Sequence, residues 1–195
     1  FIKIGSFNNN FIEIDENKKS QKQINYISEY RGKMQTTNSI FSEKKIIRKL
    51  YKFCSNYDYK LLVSLNSNRL DKNLRKKKEI NYFLNINKNI IINETNSYQN
   101  SFNSTVTIVM SSNIGIELLS RGIPTLYINE LQKKDKKFDN PYYKNFSNFF
   151  IDADLCDEEF AEKLLDIANH KLKYQDVPIK YDRGNFEFFK ILKSL

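Results

Sequence analysis

The feature that most constrains this chain is a regular alternation of short apolar runs with segments of helical period. Residues 23–28, 60–65, 90–93, 105–110, 125–128 and 149–151 read as strands, each a brief apolar stretch bounded by polar residues. Helical segments fall between them. From Ser42 onward, Ile46, Ile47, Leu50, Phe53 and Cys54 share one face at the 3.6-residue period, with Ser42 as the expected cap and Glu43 in the first turn. A charged helix is expected over 71–84 and another over 113–121. A further helix starts near Asp157, with Phe160, Leu164, Leu165 and Ala168 on one face and Asp157, Glu158 and Glu159 at its positive end. A strand joined through a helix to the next parallel strand crosses over right-handedly, so this order predicts an α/β domain with a parallel sheet covered on both faces. Sheets of that kind take their ligands beyond the carboxyl ends of the strands.

A chain of 195 residues suffices for one large α/β domain, or for one domain and part of a second. The polar stretch 15–20 reads as a linker, which assigns 1–20 to the end of an N-terminal domain and its connection and 21–195 to a second domain. Residues 1–5 form a strand-like opening rather than a leader, and a chain starting at Phe1 is expected to be a fragment. A polar loop is expected over 129–145 and a last short helix over 185–195. No stretch of about 18 apolar residues is present to cross a membrane.

The net charge of +9 raises the question of nucleic acid, with Arg75-Lys76-Lys77-Lys78 and Lys133-Lys134-Asp135-Lys136-Lys137 as the places to look. Abundant Asn, Lys, Ile, Tyr and Phe beside scarce Gly and Pro make the basicity partly compositional, and no nucleic-acid-binding signature accompanies it. No nucleic-acid partner is expected. The basic surface suits anionic lipid head groups, so peripheral association with the inner face of the plasma membrane accompanies a cytoplasmic expectation. Cys54 and Cys156 stand far apart without C-x-x-C spacing and read as buried free thiols in a reducing compartment. The single histidine, His170, cannot build a multi-histidine metal site or a Ser-His-Asp group, and is expected at a helix end. Neither a metal nor a cofactor is expected.

Chemistry concentrates where the apolar strand Thr105-Val106-Thr107-Ile108-Val109-Met110 breaks into Ser111-Ser112-Asn113 and a helix begins. Free backbone N–H groups at such a junction form an anion site that the hydroxyls of Ser111 and Ser112 can complete. Gly115 would leave room for close ligand approach, and Glu117, sharing a helix face with Asn113, would suit ribose hydroxyls. A purely structural account is also open. Ser112 then caps the helix, Glu117 pairs with Arg121, and Gly122 ends the helix before Pro124.

This segment resembles the strand-Ser-Ser-x-x-x-Glu-x-x-x-x-Gly-x-Pro pattern in the second domain of GT-B glycosyltransferases. It is most similar to bacterial surface-carbohydrate proteins of capsule or O-antigen type, and more distantly to CDP-glycerol glycerophosphotransferases. Ile4-Gly5-Ser6-Phe7-Asn8-Asn9 and Ile27-Ser28-Glu29-Tyr30-Arg31 resemble further elements of that family, as do Glu79-Ile80-Asn81-Tyr82 and Ser97-Tyr98. The likeness covers most of residues 1–130 in short motifs. Asn8 and Glu29 depart slightly from the family pattern, and Ser112-Asn113 stands where it has Ser-Thr.

The resemblance implies a Rossmann-like, doubly wound sheet forming the second domain of a GT-B-type enzyme, with a nucleotide sugar as substrate and a glycan or lipid-linked acceptor. Ser111, Ser112 and Asn113 would hold the donor phosphates and Glu117 the ribose. Arg31 would neutralise the leaving diphosphate, a surface salt bridge being its alternative role. The resemblance would let Tyr98 stack on the base, although core packing is the preferred role. Ser6, Asn8 and Asn9 would face the interdomain cleft, and the general base would belong to the first domain. Two other functions stand beside transfer: a nucleotide-sugar epimerase, for which the expected acid, base and histidine groups are not visible, and a non-catalytic scaffold of a polysaccharide assembly complex.

Overall fold

The computed structural model describes residues 21–30, 37–65, 72–93, 96–110, 112, 114–129 and 149–169. The described strands are β1 (Gln21–Ile27), β2 (Lys60–Ser64), β3 (Ile91–Asn93), β4 (Ser104–Val109), β5 (Thr125–Asn129) and β6 (Phe150–Asp152). Helices α1 (Thr37–Tyr57), α2 (Lys72–Ile86), α3 (Ser97–Phe102), α4 (Ile114–Ser120) and α5 (Asp157–Ala168) alternate with them. The strands form one six-stranded sheet in the order β3-β2-β1-β4-β5-β6. Every pairing is parallel. This is a Rossmann-like doubly wound arrangement, with the parallel sheet that the alternation predicts.

Strand order follows from two walks outward. The chain steps from β1 through β2 to β3 at one edge, then returns to lay β4 against the other side of β1, pairing Tyr26 with Ile108. From β4 it steps through β5 to β6. The direction reverses between β1 and β4, the switch point at which doubly wound sheets take ligands in a crevice above the strand ends.

The apolar face expected for α1 is the buried one, because Ile46, Ile47, Leu50, Phe53 and Cys54 all enter the core. Full burial of each large aliphatic or aromatic chain stabilises by about 1.5–3 kcal/mol. In α5, Phe160, Leu164 and Ala168 are buried as expected, together with Ala161 and Ile167, while Leu165 is half-buried.

Three local expectations are corrected, and one element appears that was not expected. Helix α1 starts at Thr37, so Ser42 lies within it rather than capping it, and Glu43 is buried beneath β1 instead of lying in the first turn. Cys156 is exposed and not buried: its Sγ accepts from Glu159 N at 3.4 Å while Cys156 N donates to Glu159 Oε2 at 3.3 Å, a reciprocal capping of α5. Cys54 is buried, and burial pushes its thiol up to about 12. Helix α3 was not expected from the sequence. Its six residues are mostly polar, and Asn96 caps it by accepting from Tyr98 N at 2.9 Å. The assignments made to 1–20, 129–145 and 185–195, and to His170, fall in whole or nearly so outside the described residues.

Beneath α3 lies a polar layer. Gln23 Nε2 donates to Ser104 Oγ at 2.9 Å and Asn25 Nδ2 to Ser101 Oγ at 3.0 Å. Ser64 Oγ donates to Asn25 Oδ1 at 2.8 Å and accepts from Asn100 Nδ2 at 2.9 Å. Buried amides and hydroxyls so matched meet little desolvation penalty, which fixes a helix too short to hold itself.

Candidate functional site

The crevice between β1 and β4 is walled on one side by the residues that leave β1. Ser28 continues the parallel pairing, its N donating to Ser64 O at 3.0 Å. Its Oγ donates to Glu79 Oε1 of α2 at 2.5 Å and accepts from Tyr30 N at 3.1 Å. Glu29 N donates to Glu43 Oε1 of α1 at 3.1 Å, and Arg75 Nη2 of α2 donates to Tyr30 O at 3.1 Å. Glu43 and Glu79 are 1% and 0% exposed, so both carboxylates exchange water for these hydrogen bonds.

Three tyrosines share this layer. Tyr26 Oη donates to Glu43 Oε1 at 2.9 Å and lies 3.1 Å from Met110 Sδ, while its ring meets Phe83 edge-on at 6.2 Å. Tyr30 and Tyr82 pack with ring centres 5.2 Å apart. Burial, reinforced by the Glu43 carboxylate, holds the Tyr26 and Tyr82 hydroxyls above the ordinary phenol range. Both stay protonated as donors at neutral pH.

The opposite wall is the turn from β4 into α4, of which Ser112 is described and Ser111 and Asn113 are not. Ser112 O accepts from Gly115 N at 3.2 Å and from Tyr127 Oη at 3.0 Å. The space expected for a ligand at Gly115 is filled by protein. A Cβ there would stand 2.5 Å from Tyr127 Oη and 2.7 Å from Val109 Cγ2, so glycine is required to seat α4 on β4 and β5.

Glu117 leans toward α3, where its Oε2 accepts from Tyr98 Oη. Tyr98 is 9% exposed and packs with Leu118 and Ile123, under the Arg121 guanidinium at 5.9 Å. Its ring is core, which is the preferred of the two roles expected for it and leaves the base-stacking role aside. Burial first, then the Glu117 carboxylate, pushes its hydroxyl above the ordinary range. Gly122, at φ 73°, ends α4 as expected: Gly122 N donates to Leu119 O at 2.9 Å and Ile123 N to Leu118 O at 3.0 Å.

The structure therefore brings Ser112 and Gly115 to the crevice turn and sets Glu117 one turn into α4. Ser6, Asn8, Asn9, Arg31, Ser111 and Asn113 lie outside the described residues. Sequence reasoning missed Glu43, Glu79 and Arg75 as parts of the crevice wall. A signal existed for two of them, since Glu43 is in helical register with Ile46, Ile47 and Leu50, and Glu79 with Phe83. An acid on an apolar helix face must find a buried partner.

Among the described residues, no group of His, Cys, Asp and Glu is placed to hold a metal ion, and no helix is long and apolar enough to cross a membrane. A cavity of about 110 Å³ lies along the second half of α1 and the start of α5, lined by Lys49, Lys52, Phe53, Tyr57, Asp157 and Phe160. The crevice meets α1 in its first half, at Glu43.

No family model and no curated protein matches this chain. Among solved structures it is similar to the UDP-GlcNAc 2-epimerase from Methanocaldococcus jannaschii, with 17% identity and a TM-score of 0.46. The match covers 96% of this chain and 48% of that one, so the chain spans about half the length of the enzyme it matches.

Proposed function

We propose that this chain is the donor-binding domain of a GT-B-type glycosyltransferase, which moves a sugar from a nucleotide-activated donor to a surface polysaccharide or lipid-linked acceptor. The observation that carries this reading is the strand order. It lays the Ser112 turn of β4 beside the end of β1 at the one reversal of the sheet, where doubly wound domains take nucleotides. The likeness of residues 105–125 to the donor-binding segment of GT-B enzymes supports the same site.

In this reading the Ser111-Ser112-Asn113 turn receives the donor phosphates on its amides and hydroxyls. Glu117, oriented by the Tyr98 hydroxyl, accepts from ribose hydroxyls. An acceptor hydroxyl attacks the anomeric carbon, the bond from that carbon to the phosphate oxygen breaks, and the nucleotide leaves with the electron pair. Arg31 offsets the charge that develops on the leaving phosphate. The acceptor proton passes to a base supplied by the other domain.

Titration of the full-length protein with UDP, CDP, CMP and GDP tests the reading, and at least one should bind. Replacing Ser111 and Ser112 together by Ala should weaken that nucleotide by about tenfold or more without loss of fold. Unchanged affinity removes the turn from the site. With a donor sugar present, nucleotide release only upon addition of acceptor supports transfer. Interconversion of the sugar without acceptor replaces transfer by epimerisation, and binding without turnover leaves a scaffold.

A further inference from the structure

Three consecutive residues leave β1 at the crevice, and each is tied to a helix by a charged side chain or through one. Glu79 accepts from Ser28 Oγ at 2.5 Å, and that oxygen in turn accepts from Tyr30 N at 3.1 Å. Glu43 accepts from Glu29 N at 3.1 Å, and Arg75 donates to Tyr30 O at 3.1 Å. The two carboxylates come from different helices and converge on one short piece of main chain. Both stand in register with apolar helix faces and are fully buried, where an apolar side chain would avoid the cost of desolvating a charge. What the carboxyl group supplies in return is an acceptor oxygen with a directional hold on backbone N–H and hydroxyl groups.

We propose that Glu43 and Glu79 are positioning residues of the crevice, fixing the main chain of residues 28–30 so that the β1 wall is set before a ligand arrives. The identity of the ligand rests on the nucleotide reading above; the hold on the main chain does not. A preset wall spares the ligand the entropy of ordering it, so loss of the hold lowers affinity without removing any contact to the ligand.

Amide hydrogen exchange across residues 26–30 of the full-length protein reads the hold directly. In Glu43→Ala, exchange at Glu29 and Tyr30 should accelerate by about tenfold or more while the amides of β4 keep their protection. Whichever of UDP, CDP, CMP and GDP binds the wild type should weaken by about three- to tenfold, measured well below the unfolding temperature. Glu43→Gln keeps an acceptor oxygen for Glu29 N–H and the Tyr26 hydroxyl and should restore both properties, which a loss of general stability would not predict. If Glu43→Ala does not fold, Ser28→Ala, which cuts the link between Glu79 and Tyr30 N, is read at the Tyr30 amide in the same way. Unchanged exchange at Glu29 and Tyr30, or faster exchange with unaltered affinity, overturns the proposal. A wild type that binds none of the four nucleotides overturns the nucleotide reading instead, and the exchange comparison then decides the proposal by itself.

Discussion

At the scale of single residues, the crevice is shaped by side chains chosen for what they exclude as much as for what they bond. Gly115 illustrates this, since its missing side chain is the space occupied by Tyr127 and Val109. Gly115→Ala should destabilise the fold by about 1–3 kcal/mol, because the β-strand side chains facing it are themselves packed and cannot yield freely. Urea unfolding measures this; a loss below about 0.5 kcal/mol would mean that α4 shifts at little cost and that glycine serves another purpose. Gly122 contrasts with it. An added Cβ there meets nothing within 4 Å, so its requirement is the positive φ of 73° rather than space.

Among the elements, α3 shows how tertiary partners replace intrinsic propensity. Six residues cannot sustain an isolated helix; Tyr98 and Phe102 give this one a short apolar face, and Asn100 and Ser101 fasten it to Ser64 and Asn25. Asn25→Ala should therefore cost more than the burial of a small polar chain suggests. It leaves the Ser64 hydroxyl without the acceptor at 2.8 Å and removes the donor to Ser101, and a buried polar group so orphaned costs about 1–3 kcal/mol. Equilibrium unfolding combined with exchange of the α3 amides checks this. Equal protection in variant and wild type would show that α3 is held by its cap and by Tyr98 instead.

For the whole molecule, the buried phenols couple stability to pH. Tyr26, Tyr82 and Tyr98 all have hydroxyls raised above the ordinary phenol range, chiefly by burial and then by Glu43 or Glu117. Between the unfolded pKa near 10 and the higher folded values, the unfolded chain binds fewer protons than the native one, so stability falls as pH rises. The contribution is complete below about pH 10 and is lost progressively above it. Denaturant unfolding followed from pH 8 to 11 should show a decline starting near pH 10 that is shallower in Tyr26→Phe. A decline of equal slope in both proteins would remove Tyr26 from the coupling.

Sequence by itself determined the alternation of strand and helix, the parallel α/β class, the buried face of α1 and the glycine stop after α4. These rest on periods and caps, which are interactions among residues a few positions apart and are therefore written locally. Strand order, the burial of Glu43 and Glu79, the existence of α3 and the core placement of Tyr98 were decided only in the tertiary structure. Their causes join distant parts of the chain: Gln23 to Ser104, Tyr26 to Met110, Ser28 to Glu79. An acid on an apolar face is costly or useful according to whether a donor is brought to it, and no local pattern states which strand end will supply that donor. The donor arrives because β4 returns to pair with β1, closing the sheet at its center and stacking α1 and α2 over the strand end that their carboxylates hold.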